Sequence, residues 1–370
     1  MSKFVTYDDI LSLEKLISVY KNIRLTTCHR DKLVKFELYY TSNLINILEE
    51  LKMRSYRHGN YNLFLISVPK HRIIMSENMN DKIVNHLVSK YILTPVLIPK
   101  LIEMNVATRP NKGTKMGIYY TKKYINKIKH NHEKVYALKC DISKYFYNID
   151  HSILMDKLKK DIPDEDIIYL IENIIDSTDK SYVNKGISKL KKSALDNLKK
   201  IGIPDFNKKE FEINNLPTYR KGVGLPIVNE TSQILAIYYL NGLDHFIKEK
   251  LKCKCYIRYM DDFILFSHNK EYLKKNLVEI KDYIEKLHLK LNKKTQIYDL
   301  SKGMNFLGYR FILKDKKLIM LINSQTKKRV KKKLKRLKKK KALNYSQVLA
   351  SYNGYFKVAH SGNFLYHSKF

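Results

Sequence analysis

The stretch YIRYMDDFILFS, residues 256–267, contains two adjacent aspartates, Asp261 and Asp262, within a run of aromatic and β-branched residues. Such a run favours a buried sheet, and the aspartates at its centre predict a β-hairpin whose turn carries both carboxylates. A carboxylate in apolar surroundings is costly unless a cation meets it. The stretch therefore predicts a buried hairpin that binds a positively charged group.

A third aspartate, Asp141, ends the strand-like part of KVYALKCDISKYFYNIDH, residues 134–151. If this strand neighbours the hairpin in one sheet, three carboxylates converge and resist ionisation unless divalent cations relieve their repulsion. Mg²⁺ prefers oxygen ligands shared between carboxylates and substrate phosphates. The hypothesis is a pair of Mg²⁺ ions for in-line phosphoryl transfer. Two solvated aspartates that cap a turn are the plain alternative.

The charge balance indicates a polyanionic partner. The chain has 370 residues, 44% of them hydrophobic, and 71 lysines and arginines against 36 acids give a net charge of +35. An excess on that scale disfavours an ordinary metabolic enzyme and points to nucleic acid or an anionic membrane. The length predicts about two or three domains or subdomains.

The sequence predicts a protein of the reduced cytoplasm. It has no run of about 18 uncharged apolar residues, which would indicate a membrane-spanning helix. Its opening, MSKFVTYDDI, has acids where a signal peptide is apolar. The four cysteines lack metal-finger spacing, and Cys253 and Cys255 on a predicted strand are interpreted as buried thiols.

Residue periodicity predicts a mixed α+β chain. An apolar strand pattern broken by Pro69 covers residues 62–75, and the Gly-Pro turn RKGVGLP occupies residues 220–226. Helical spacing of apolar residues covers residues 8–54, 80–105, 153–200 and 270–288.

Four motifs occur in an order and spacing that resemble the reverse transcriptases. They are DISKYF (141–146), GLPIVNETSQ (224–233), YMDD (259–262) and NFLGYRF (305–311). The resemblance is greatest to prokaryotic stand-alone enzymes, namely those of diversity-generating retroelements and antiphage defence. It implies a right-hand polymerase with fingers, a palm with a small antiparallel sheet, and a short helical thumb. The expected bounds are 1–130 for the N-terminal helices and fingers, 131–312 for the palm with an insertion at about 155–215, and 313–370 for the thumb.

The resemblance implies the catalytic residues. Asp141 and Asp261 are similar to the principal metal ligands, Asp262 completes the triad, and the backbone carbonyl of Ile142 is a further ligand. The ions are expected to be two Mg²⁺, for which Mn²⁺ can substitute. Lys294 matches a lysine that protonates pyrophosphate.

The resemblance also implies the nucleotide-binding residues. Phe146 matches the aromatic gate that excludes a 2′-hydroxyl, and Lys70 and Arg72 match the fingers cations that grip a triphosphate; a solvated basic loop is the alternative. Ile227 stands where many relatives have a nucleotide-contacting glutamine, which favours relaxed fidelity. Val228 replaces a usual glycine and puts ordinary template geometry in doubt.

Two segments are similar to nucleic-acid contacts of the family. The predicted template-contacting residues are Arg109, Lys112 and Gly113. The predicted primer grip consists of Phe306, Leu307 and Gly308. A solvated loop and an ordinary buried strand are the respective alternatives.

The segment KKRVKKKLKRLKKKK, residues 327–341, has twelve basic residues in fifteen positions. Val330, Leu334 and Leu337 form a narrow apolar stripe, which suits a thumb helix that packs on one side and tracks phosphates on the other. The predicted phosphate-binding residues are Lys331, Lys332, Lys335 and Lys338. A membrane-surface helix and a merely solvated helix are the alternatives. Tyr352, Tyr355 and Phe356 are expected to pack in the thumb.

The combined prediction is a nucleotidyltransferase, an RNA-directed DNA polymerase that extends a primer with dNTPs in antiphage defence or in a retroelement. Its predicted partners are an RNA template or noncoding RNA and the DNA product, with no membrane; an accessory protein or a second reverse transcriptase is left open. The alternatives are a template-independent or protein-primed DNA polymerase and a catalytically idle nucleic-acid-binding scaffold. Phe146 disfavours an RNA-dependent RNA polymerase.

Overall fold

The computed structural model describes residues 5–27, 30–68 and 70–359; Cys28 and the end of the predicted thumb, 360–370, lie outside them. The helices are α1 (Leu13–Thr26), α2 (Arg30–Glu37), α3 (Tyr40–Lys52), α4 (Met79–Val88), α5 (Thr94–Leu97), α6 (Thr114–Asn131), α7 (His151–Asp161), α8 (Glu165–Ile175), α9 (Ser181–Ile201), α10 (Phe206–Asn214), α11 (Glu230–Tyr239), α12 (Asn241–His245), α13 (Lys270–Lys286), α14 (Ser324–Lys339) and α15 (Tyr345–Lys357). The strands are β1 (Asn62–Ile66), β2 (Arg72–Ser76), β3 (Tyr136–Asp141), β4 (Tyr256–Tyr259), β5 (Asp262–Ser267), β6 (Gln296–Asp299), β7 (Met304–Phe306), β8 (Tyr309–Lys314) and β9 (Lys317–Ile322). These elements confirm the mixed helix and strand pattern.

The chain forms two compact units, each assembled from segments distant in sequence. The first unit contains Met1–Ile102, Ile142–His245 and Tyr283–Lys290. The second unit contains Glu103–Asp141, Phe246–Asp282 and Leu291–Phe370. The subdomain bounds expected from the sequence stay a prediction.

In the first unit, β1 and β2 form an antiparallel hairpin in which Asn62 pairs with Ser76 and Ile66 with Arg72. The hairpin buries its apolar side chains against α9 and three tyrosines. This cluster consists of Tyr61, Ile73, Met75, Tyr147, Val183, Ile187 and Tyr219. Burial of the cluster stabilises the two strands, and the segment that connects them contains Lys70.

The first unit also buries an acidic residue, Asp81, which is 2% exposed. Its carboxylate accepts hydrogen bonds from Tyr56 Oη at 2.8 Å, from the Gly59 amide at 3.0 Å and from Asn78 Nδ2 at 2.7 Å. Donors therefore reach both carboxylate oxygens, as a buried acid requires.

The second unit contains a four-stranded antiparallel sheet with the order β4-β5-β3-β6 and a three-stranded sheet with the order β7-β8-β9. One apolar core underlies both sheets and extends to α14 and α15. Val330 and Leu334 of the basic helix are fully buried in this core, as is Phe356 at 1% exposure. Two members of the predicted apolar stripe are thus confirmed as packed, whereas Leu337 is only half-buried. The packing role of Phe356 is confirmed, and Tyr352 and Tyr355 are partly buried against the same core.

Cys253 and Cys255 are buried thiols, as predicted, and burial raises the pKa of the Cys253 thiol to about 12. They precede β4 instead of lying on it, because the strand ladder begins at Tyr256. Among the described residues, no helix is long and apolar enough to cross a membrane.

Candidate active site

The two aspartates lie at a tight hairpin between β4 and β5. Tyr259 pairs with Asp262, so that only Met260 and Asp261 form the turn, and Met260 has a φ of 59°. The prediction that the turn carries both aspartates is wrong in this detail. Because two-residue hairpin turns leave the flanking residues in the ladder, Asp262 is the first residue of β5.

The third aspartate lies on the neighbouring strand. Asp141 ends β3 and is the register partner of Asp262. The charges of Asp141 and Asp261 both contribute to raising the pKa of Asp262. The second unit therefore brings the three aspartates together, as the sequence predicted. Their catalytic role stays a prediction.

Asp262 has a strongly shifted pKa. Desolvation by burial, opposed by Lys139 and reinforced by the two neighbouring acids, raises its pKa to about 7. Its Oδ2 lies 3.0 Å from Lys139 Nζ. Its Oδ1 is buried and has no hydrogen-bond partner among the described residues. A buried carboxylate oxygen without a donor is a position at which a cation can bind.

Lys139 is a residue that the sequence analysis missed. It precedes Asp141 by two positions on β3, so both side chains project from the same face of the strand. Its Nζ also donates to the Asn305 carbonyl at 3.2 Å and lies 5.9 Å from the centre of the Phe306 ring. Lys139 is thus a cation that meets the hairpin, at Asp262, and its two-residue spacing from Asp141 was the available signal.

Arg258 on β4 is a second residue that was missed. Its side chain is fully buried, and its Nη1 donates to the Met260 carbonyl at 3.0 Å. Its backbone amide donates to the Met104 carbonyl, and its carbonyl accepts from the Val106 amide, each at 3.0 Å. Arg258 therefore stabilises the turn that presents Asp261.

The segment around Lys294 reaches the end of β3. The Asn292 amide donates to the Asp141 carbonyl at 2.7 Å, and the Lys294 amide donates to Asn292 Oδ1 at 3.0 Å. The Lys294 side chain is exposed. This arrangement places the backbone of the predicted proton donor close to one of the three acids.

The predicted template loop is held by its own hydrogen bonds. Arg109 is half-buried, and its Nη1 donates to the Asn105 carbonyl at 2.9 Å. The Gly113 amide donates to the Val106 carbonyl at 2.7 Å, and Lys112 Nζ lies 3.8 Å from Glu103 Oε1. These contacts disfavour a freely solvated loop, and the template contact stays a prediction.

The predicted primer grip is the β7–β8 turn. Phe306 pairs with Tyr309, which leaves Leu307 at a φ of 49° and Gly308 at a φ of 86° in the turn. Two left-handed residues are what a tight hairpin with this twist requires. A Cβ on Gly117 of α6 would clash with Leu307 Cδ1, so this glycine permits the close approach of α6.

The predicted nucleotide-binding residues lie in the first unit. Lys70 and Arg72 are exposed at the β1–β2 connection, and the charge of Arg72 acts on Tyr147, the neighbour of half-buried Phe146. Ile227 packs against the apolar cluster that contains Tyr147. Ile142, which follows Asp141 in sequence, is buried at 2% exposure. Of the four predicted residues, Ile227 thus packs on the cluster and Arg72 acts on its Tyr147, whereas Lys70 and Phe146 are near it only in sequence.

Val228 does not need the freedom of the glycine that it replaces. Its side chain is 54% exposed. Among the described residues that have a positive φ, Val228 is not found. A β-branched residue is therefore accommodated without backbone strain.

The four predicted phosphate-binding lysines of α14 are all exposed, whereas Val330 and Leu334 of the same helix are buried. Lys331, Lys332, Lys335 and Lys338 are their positions. Their contact with phosphates stays a prediction.

A divalent metal fits the three aspartates by the chemistry of their oxygens and by the unsatisfied Oδ1 of Asp262. Among the described residues, a second group has ligand atoms within 4.8 Å of one another: His151, Asp176 and Asp179 of the first unit. Both ring nitrogens of His151 already face acceptors, at 3.0 Å and 2.8 Å, so the ring offers no free lone pair there.

Residues 67–311 match the family model described as "Reverse transcriptase (RNA-dependent DNA polymerase)". The match covers more than half of the chain, and the α+β fold with small antiparallel sheets is that of a right-hand polymerase. The chain belongs to the reverse transcriptase family. Membership confirms the predicted class of enzyme, a nucleotidyltransferase of the RNA-directed DNA polymerase type, a class that generally uses divalent metal ions.

No curated protein matches the chain. Among solved structures, it is similar to telomerase from Candida albicans in complex with the TWJ fragment of telomeric RNA, with 12% identity and a TM-score of 0.47. The alignment covers 76% of this chain and 50% of the telomerase chain, so this chain spans about half the length of that relative.

Proposed function

We propose that this protein is a prokaryotic RNA-directed DNA polymerase that extends a primer with dNTPs by a two-metal mechanism. The observation that carries the proposal is the group of three acids at the β3–β5 pair, with Asp141 opposite Asp262 and Asp261 in the adjoining turn. Family membership supplies the class of reaction. The acids supply the ligands that such a reaction needs.

Each residue of the site has a proposed task. Asp141, Asp261 and Asp262 would hold two Mg²⁺ ions, which when bound would supply activation of the attacking hydroxyl and stabilisation of the leaving pyrophosphate. Lys139 holds the Asp262 carboxylate in place through its 3.0 Å ion pair. Lys294 offers a proton to the departing group. Because Asp262 has a pKa of about 7, binding of a cation displaces a proton from this acid.

Selection of the nucleotide is proposed for the first unit. Phe146 excludes a 2′-hydroxyl by its ring, and Lys70 and Arg72 bind the triphosphate. Ile227 offers hydrocarbon where an amide would contact the nucleotide, which supports relaxed fidelity. Arg109, Lys112 and Gly113 are proposed to contact the template, and Phe306, Leu307 and Gly308 to position the primer.

The biological role is proposed to be antiphage defence with a structured noncoding RNA. A net charge of +35 and the exposed lysines of α14 provide more basic surface than one primer–template duplex requires. Sequencing of RNA that copurifies with the protein should recover one abundant species. A sequence-random population, together with phage protection that survives Asp261→Asn, would contradict this role.

The polymerase activity is tested by primer extension on RNA and DNA templates and without template. Wild-type protein should extend the primer on RNA with dNTPs and Mg²⁺, and Asp261→Asn should not. Asp282→Asn removes an exposed acid of α13 and is the matched control, which should retain activity. Extension without any template would favour a template-independent enzyme, and extension by Asp261→Asn would contradict the assigned site.

A further inference from the structure

His151, the first residue of α7, is held by hydrogen bonds from both nitrogens of its ring. The side chain is buried, Nδ1 lies 3.0 Å from Asp176 Oδ1, and Nε2 lies 2.8 Å from the Gly224 carbonyl oxygen. Both partners can only accept hydrogen bonds, so each nitrogen must carry a hydrogen and the ring is an imidazolium. A cation at a helix N-terminus opposes the helix dipole, so the neighbouring acids must stabilise it.

The acids that face His151 come from the turn after α8. Asp176 accepts from the ring, and Asp179 adds a second negative charge that acts on it. Burial lowers the pKa of His151, but the hydrogen bonds and charges of these partners outweigh burial, and the net shift is upward. Asp179 Oδ2 also accepts the Gly222 amide at 2.8 Å, so this acid contacts the same loop as the imidazole.

The loop that His151 binds lies along the segment that carries the predicted sugar gate. The Leu225 amide donates to the Phe146 carbonyl at 2.7 Å, and the Gly224 amide donates to the Ile149 carbonyl at 2.8 Å. Gly224 has a φ of 108°, and a Cβ there would lie 2.7 Å from Tyr219 Cδ1, so this position requires glycine. The imidazole bond to Gly224 completes the attachment of the loop to residues 146–151.

We propose that His151, as an imidazolium, is a positioning residue that fixes the loop at residues 220–225 against the backbone of Phe146 and thereby sets nucleotide affinity and sugar selection. This inference rests on the proposed polymerase function. Loss of the proton leaves the Gly224 carbonyl or Asp176 without its ring donor. Thr178 Oγ1, 3.2 Å from the Gly224 oxygen, then remains as the side-chain donor to the loop.

The charge state is tested by NMR of protein labelled with ¹⁵N-histidine, with His151→Gln used to assign the signal. At about pH 7, wild-type His151 should show two protonated ring nitrogens, and Asp176→Asn should lower the pH at which one proton is lost. A neutral ring in wild-type protein at that pH would overturn the inference. This result does not depend on catalysis, so it stands even if the protein polymerises nothing.

The proposed effect of His151 on nucleotide affinity and sugar selection is tested by steady-state incorporation of dNTPs and NTPs over a range of pH. His151→Gln should raise the KM for dNTPs by about three- to tenfold, the effect of one hydrogen bond, with a smaller change in kcat and a lower preference for dNTPs. Because Asp176→Asn should lower the pH at which His151 loses a proton, the same changes in KM and sugar preference should begin at a lower pH in this variant than in the wild type. His130→Gln, which removes an exposed histidine of α6, is the control and should leave these values unchanged. Unchanged KM and sugar preference in both folded variants would overturn the proposal, whereas an inactive wild type would refute the polymerase function instead.

Discussion

Asp81 of the first unit and Asp262 of the second unit are held in different ways. In the first unit, Asp81 accepts hydrogen bonds from Tyr56, Gly59 and Asn78, and donors reach both of its oxygens. In the second unit, Asp262 contacts Lys139 through one oxygen and has a buried second oxygen without a partner among the described residues. Satisfied acids stabilise a fold, whereas an unsatisfied acid beside two others is suited to binding a metal ion. Their hydrogen bonds thus distinguish Asp81, which is held through both oxygens, from Asp262, which is held through one.

The largest effect is expected at the unsatisfied acid. Asp262→Asn or Asp141→Asn should lower the rate of dNTP incorporation by roughly 10³-fold or more, because the metal ligands act as a unit. Binding of primer–template should be retained, since it depends on basic surface. Single-turnover extension and a filter-binding assay measure the two quantities. Variants that bind normally and still extend the primer would place the chemistry elsewhere.

The satisfied acid should behave in the opposite way. Asp81→Ala leaves the Tyr56 hydroxyl, the Gly59 amide and the Asn78 amide without their acceptor and should lower the free energy of unfolding by about 2 to 4 kcal/mol. Urea unfolding measures the change, and Asp156→Ala, which removes an exposed acid of α7, is the control. A stable Asp81→Ala protein that has lost incorporation would break the distinction between the two acids.

Binding should depend on lysines and not on either acid. Binding is described by the slope of the logarithm of the binding constant against the logarithm of the salt concentration. Replacing Lys331, Lys332, Lys335 and Lys338 with glutamine should make this slope shallower by about 3, since each lost phosphate contact contributes roughly 0.7 to 0.9. The matched control replaces four exposed lysines of α13, at positions 270, 274, 275 and 281. Equal slopes for the two quadruple variants would mean that the α14 lysines are a solvated face.

Sugar selection should depend on the first unit. Phe146→Ala should raise incorporation of NTPs relative to dNTPs by about tenfold, which corresponds to a modest steric penalty. Phe146→Tyr keeps the ring and should preserve selectivity. Single-nucleotide incorporation assays measure the ratio. If Phe146→Ala discriminates as the wild type does, another residue excludes the 2′-hydroxyl.

A further prediction concerns the pH dependence of stability and a neighbour of Asp81. Burial and the charge of Asp81 raise the pKa of Glu77 from 4.5 to about 8. The folded state therefore holds the Glu77 proton more tightly than the unfolded state, and this contribution to stability declines as the pH rises from 4.5 to about 8. Glu77→Gln should make the melting temperature less dependent on pH in this window. An identical pH profile would show that Glu77 does not titrate in this way.

Local patterns were sufficient to predict much of the second unit. The aromatic and β-branched residues of YIRYMDDFILFS and the strand that ends at Asp141 indicated two strands, and the structure pairs Asp141 with Asp262. The basic helix was readable from its apolar stripe, because Val330 and Leu334 follow helical spacing and are buried.

Contacts between distant residues could not be read from these patterns. The register of the hairpin decides that Asp262 lies in β5 and that Lys139 reaches it, and register depends on turn geometry. His151 and Gly224 are 73 residues apart, and no periodicity links them. Arg258 resembles any basic residue on a strand until its burial and its bond to the Met260 carbonyl are seen.

The most direct test of the account is to locate the bound metal. Fe²⁺ can replace Mg²⁺ and, with ascorbate and peroxide, cleaves the polypeptide near its site; the reaction is run with primer–template and a non-reactive dNTP analogue. The account predicts cleavage near Asp141 and near Asp261 and Asp262, and its loss in Asp261→Asn. Cleavage near Asp176 and Asp179, or cleavage at the hairpin that persists in Asp261→Asn, would contradict it.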